Sequence, residues 1–72
     1  MNKPSAPFST PYKITMEIDF SDWIADRRRI EGELWCYDNT QHPWFRRILI
    51  RLGVVEFHFA DRNEATMFWL AN

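Results

Sequence analysis

Tyr12, Ile14, Met16, Ile18 and Phe20 alternate strictly with Lys13, Thr15, Glu17 and Asp19. A period of two predicts a β-strand with one apolar and one solvated face. After Phe20 the spacing lengthens to that of a helix. Ser21 is the predicted N-cap of a helix over Asp22 to Asp38, with the Asp22 carboxylate in the first turn, where it complements the helix dipole. At about 100° per residue, Trp23, Ile30, Leu34 and Tyr37 share one arc, while Asp22, Asp26, Arg29 and Glu33 lie opposite. The apolar arc is expected to face the core. Ile24 and Trp35 form a separate shoulder beside Arg28, available to the fold or to a partner. Gly32 costs about 1 kcal/mol relative to Ala in a helix, and is expected to permit close packing on a sheet.

Asn39 to Pro43 reads as a loop, because Pro43 keeps His42 out of helical geometry. From Trp44 to Ala60 aromatic and β-branched residues dominate, with Gly53 the only turn former. The expected arrangement is a hairpin: a strand from Trp44 to about Arg51, a turn at Leu52-Gly53, and a strand from Val54 to Ala60. One long bent strand with a bulge at Gly53 is the alternative. Asp61 and Glu64 have capping-box spacing, so a short helix follows, with Ala65, Phe68 and either Trp69 or Met67 as its buried side.

The order strand, helix, strand, strand, helix predicts an α+β domain over residues 12–72, a three-stranded, mainly antiparallel sheet with both helices on one face. Ile14, Met16, Ile18, Ile48, Ile50, Val55, Phe57 and Phe59 would point at the helices. Lys13, Thr15, Glu17, Asp19, Phe45, Arg47, Leu49, Arg51, Glu56 and His58 would form the open face, acids pairing with arginines across strands. Residues 1–11, with Pro4, Pro7 and Pro11, carry no periodicity and are expected to be a flexible tail.

Composition narrows the function. Six Phe, four Trp and two Tyr in 72 residues exceed the core positions of so small a domain, so some rings must reach solvent, where a partner could cover them. The formal net charge of −1 gives no overall field for nucleic acid. Arg27-Arg28-Arg29 with Arg46, Arg47 and Arg51 could build a basic patch, but consecutive helix positions diverge and Asp26, Glu31 and Glu33 are near enough to offset them. Trp44-Phe45-Arg46-Arg47 interleaves rings and cations as sheet-based RNA binders do, without their glycine-aromatic signature.

Cys36, His42 and His58 are too few and too scattered for a structural zinc site, and Cys36 lacks the supporting groups of a nucleophile. Neither a metal nor another cofactor is expected, and no catalytic residue is assigned. A lone cysteine, and no leader pattern or apolar span of about 18 residues, point to a soluble protein of the reducing cytoplasm without membrane contact.

The segment Phe59-Ala60-Asp61-Arg62-Asn63-Glu64-Ala65-Thr66-Met67-Phe68-Trp69-Leu70 resembles the ending of short tailed-phage accessory proteins: an aromatic strand, an acidic cap and an Ala-x-x-Phe-x-Leu helix. The resemblance implies a viral protein that acts in the host cytoplasm by binding a host or defence protein. The reading that results is a non-enzymatic protein that inhibits or redirects a host protein through its open sheet face. Phe45, Arg47, Leu49 and Arg51 are the expected contacts, with Arg28 and Trp35 as a second group. The alternatives are a single-stranded nucleic-acid binder that stacks bases on Phe45 or Trp44, and a homodimeric or virion component.

Overall fold

A computed structural model describes residues 3–9 and 11–72. Of the expected tail, residues 1, 2 and 10 lie outside the described residues. The elements are β1 (Tyr12–Glu17), α1 (Trp23–Asn39), β2 (Trp44–Leu49), a 3-10 turn (Ile50–Leu52), β3 (Val54–Phe59) and α2 (Arg62–Ala71). The three strands form one sheet in the order β1-β3-β2, and both outer strands run antiparallel to β3. This is the α+β fold expected from the sequence.

Local chemistry accounts for the element boundaries. Asp22, not Ser21, caps α1: its side chain accepts from Ile24 N at 2.9 Å, while Ser21 donates its N–H and hydroxyl to Asp19 Oδ1. The predicted hairpin is present, and the single bent strand is not. β2 stops at Leu49 because the next three residues close into a 3-10 turn, whose last N–H, from Gly53, bonds Ile50 O at 3.0 Å. Gly53 has φ 65°, a left-handed conformation that glycine adopts without steric cost. Ile50, expected on the core face, is therefore exposed on the turn. Asp61 caps α2 by accepting from Glu64 N at 2.9 Å.

The core contains Met16, Ile18, Cys36, Trp44, Val55, Phe57, Phe59, Ala65 and Phe68. Phe68 is its hub, with ring centroids 4.6 Å from Phe57, 5.2 Å from Phe59 and 5.6 Å from Trp35. Trp44 is closed over by the edge of Tyr37 at 5.5 Å. The rings of the sheet and α2 fill most of the space beneath α1, which leaves room for small groups and backbone. Accordingly α1 buries Gly32 and Cys36, and Trp23, Ile30 and Leu34 are exposed. The predicted orientation of this helix is corrected: of the expected arc only Tyr37 packs on the core. On α2, likewise, Ala65 and Phe68 are buried as expected, but the third buried residue is Glu64, and Met67 and Trp69 face outward.

A Cβ at position 32 would lie 3.0 Å from Phe57 Cζ and 3.2 Å from Phe68 Cζ, and both rings are fully buried. Gly32→Ala is therefore expected to lower stability by about 1 kcal/mol in thermal or urea unfolding, the overpacking outweighing a helix-propensity gain of similar size. A rise in Tm would show that the two rings can yield.

Candidate functional site

The sheet face away from the helices carries three cross-strand rows set by register: Lys13–His58–Phe45, Thr15–Glu56–Arg47 and Glu17–Val54–Leu49. Glu56 is its electrostatic centre. Its carboxylate oxygens lie 3.6 Å from Lys13 Nζ and 3.1 Å from His58 Nε2. The bond to His58, supported by Lys13 and opposed by partial burial, holds the Glu56 carboxyl below the usual glutamate range. The expected pairing of acid and base across strands is present through Lys13 of β1 and not through an arginine, while His58 meets Glu56 from two residues along β3 itself.

Phe45 is not the surface ring expected from the sequence. It stacks on His58 at 4.3 Å and takes the edge of Phe8 at 5.0 Å, leaving it 5% exposed. Ser5 N donates to Trp44 O at 2.6 Å, on the edge of β2 that faces away from β3, so Ser5 and Phe8 both reach the sheet. Arg47 and Arg51 are exposed and Leu49 is half-buried, so these three keep accessible surface on the open face and its turn. Trp35 and Arg28 belong to another region. The Trp35 ring is half-buried against Phe68, and Arg28 borders a groove of about 320 Å³ between residues 14–17 of β1 and Phe68 and Trp69 of α2, with Asn72 just after that helix.

The basic residues do not gather into one patch. Arg29 pairs with both Asp26 and Glu33 on its own helix, and Glu33 Oε1 lies 2.8 Å from Arg46 Nε, tying α1 to the helix-facing side of β2. Arg47 is on the opposite face of the same strand. Trp44 is fully buried, so neither ring of the proposed base-stacking platform is accessible. Cys36 is also fully buried, and burial pushes its thiol far above the ordinary range, which removes it as a nucleophile at neutral pH.

Exposed apolar surface lies mainly on the helices. Trp23, Ile30 and Leu34 form an outward row on α1, with Trp23 73% exposed. Ile24, Ile50 and Leu52 are exposed at the end of the sheet where α1 begins, and Met67, Trp69 and Leu70 are exposed on α2. Periodicity found the α1 row and assigned it to the wrong side.

A further grouping was not anticipated. Ligand atoms of His42, Asp61 and Glu64 all lie within 4.8 Å of one another, at the end of the sheet where the α1–β2 loop meets the start of α2. Sequence reasoning treated Asp61 and Glu64 only as a helix cap. Comparison of the chain with protein-family models, curated proteins and solved structures finds no match. Among the described residues no helix is long and apolar enough to cross a membrane.

Because Glu56 has a lowered pKa in the folded state, the unfolded chain binds more protons as pH falls through the ordinary glutamate value of about 4.3. The stability it contributes is present above that range and lost on acidification through the lowered value. Glu56→Gln is thus expected to flatten the acid limb of a stability-versus-pH curve below about pH 5. Superimposable wild-type and variant curves would show that the Lys13–Glu56–His58 contacts do not favour the folded state.

Proposed function

We propose that the protein works by binding another protein and catalyses no reaction, with the outward row of α1 as its principal contact. The observation that carries this reading is the exposure of Trp23, Ile30 and Leu34 along one side of a 17-residue helix. Arg27, Glu31 and Asp38 are exposed beside that row, giving an apolar centre with a charged rim. Burying a large apolar side chain contributes roughly 1.5–3 kcal/mol, so a partner groove that accepts these three recovers energy the isolated fold forgoes. A helix presenting a row of apolar anchors is also a common form of groove recognition.

Arg47, Leu49 and Arg51 on the sheet face are a secondary contact in this reading. The C-terminal resemblance to tailed-phage accessory proteins makes a host protein the proposed partner, inhibited or redirected by the complex. Nucleic-acid binding loses its support with the burial of Trp44 and Phe45.

Ile30→Glu and Trp23→Ala are expected to weaken partner binding by at least about tenfold while changing stability by less than about 1 kcal/mol, since both side chains point into solvent. Affinity would be measured by calorimetry or pull-down titration, with Arg47→Glu as the comparison. Unchanged binding in both helix variants rules the row out. Loss only in Arg47→Glu moves the contact to the sheet face. Light scattering showing a dimer that Ile30→Glu dissociates would make a second copy the partner, and a steep log-linear loss of affinity with salt would point to nucleic acid.

A further inference from the structure

We propose that His42, Asp61 and Glu64 form a binding site for a divalent transition-metal cation of the Zn²⁺ class. One imidazole and two carboxylates are donors that such cations accept, and their summed charge at neutral imidazole balances a dication. Glu64 supplies the strongest argument. It is only 8% exposed, and its Oε1 is buried with no hydrogen-bond partner among the described residues. Its other oxygen, Oε2, accepts from Gln41 N at 2.8 Å and lies 3.2 Å from His42 Nδ1.

A buried carboxylate with an unmatched oxygen is costly unless a cation approaches it. Among the described residues its one ion-pair partner is His42, which carries charge only when protonated. A bound dication would meet that need while the imidazole stays neutral.

The geometry is close to what coordination requires. Metal–donor bonds of about 2.0–2.2 Å put neighbouring donors in a tetrahedral site roughly 3.3–3.6 Å apart. The His42 Nδ1 to Glu64 Oε2 separation of 3.2 Å falls just under this, and the donor atoms of all three residues lie within 4.8 Å of one another. Both carboxylates are oriented by main-chain donors, Asp61 by Glu64 N and Glu64 by Gln41 N, as the outer shell of a metal site does. Pro43 restricts the backbone at His42 and so helps hold the ring over the start of α2. The cation would clasp the α1–β2 loop to α2, and the protein-binding row on α1 is not part of it.

The test titrates the full chain with Zn²⁺ by calorimetry, and with Co²⁺ by visible absorption, alongside thermal unfolding with and without metal. The expected result is saturable binding of a single cation per chain, a Co²⁺ spectrum of low coordination number, and a Tm that rises by several degrees with metal. His42→Ala, an exposed change, is expected to weaken binding by about 100-fold or more, beyond the roughly 10–100-fold effect of outer-shell partners. Glu64→Gln keeps an acceptor for Gln41 N and is expected to do the same. His58→Ala, on the opposite face of the sheet, is expected to bind as the parent does. No saturable binding of either metal overturns the proposal, as does wild-type affinity in His42→Ala or loss of binding in His58→Ala. Should Glu64→Gln fail to fold, His42→Ala decides the matter alone.

Discussion

The close approach of α1 to the rings of Phe57 and Phe68 is the contact on which the rest of the molecule depends. It is possible because position 32 has no side chain: even a methyl group there would press on two fully buried rings. Interiors are close-packed, so the volume taken by Trp44, Phe57, Phe59 and Phe68 has to be yielded by whatever lies above. α1 yields it with Gly32 and Cys36. The helix is thereby held to the sheet by its small side, with Tyr37 closing over Trp44 at its far end.

That single constraint reverses the ordinary relation between hydrophobic periodicity and burial. Trp23, Ile24, Ile30 and Leu34 of α1 are turned to solvent, and the charged side chains Arg29 and Glu33 are drawn inward, where they tie to Asp26 and Arg46. An exposed row of this kind gives an isolated domain nothing and a binding protein a great deal, which is why the functional reading rests on it. The opposite face has a different character. Phe8 and His58 enclose Phe45, and Glu56 is engaged by Lys13 and His58, so what remains accessible there is mostly polar.

Three partly buried glutamates, Glu33, Glu56 and Glu64, are each placed against donors from another element. Glu33 meets Arg46 on β2, Glu56 meets Lys13 on β1, and Glu64 meets Gln41 and His42 in the α1–β2 loop. The first two meet a permanent cation, as burial of charge demands. Among the described residues Glu64 meets a histidine and a peptide N–H, and its Oε1 has no hydrogen-bond partner. The difference sets the His42 end of the sheet apart from the other two charge clusters.

What the chain determined alone is local. Alternation over residues 12–20 specified β1, which the structure ends at Glu17, Gly53 specified the turn between β2 and β3, and Asp61 specified the start of α2, because each depends on neighbours within about one turn or one pleat. From these followed the element order and the one-sided sheet, and the positions of Arg47 and Leu49 on the open face; Arg51, expected on the same strand, lies instead in the 3-10 turn that ends it. Tertiary structure alone decided which side of α1 is buried, because that depends on the volume already filled by rings from β2, β3 and α2, and no period within the helix encodes it. It also decided that Phe45 is covered by Phe8, and that His42 meets Asp61 and Glu64. Those contacts join segments far apart in sequence, brought together only when the sheet forms and the helices close over it.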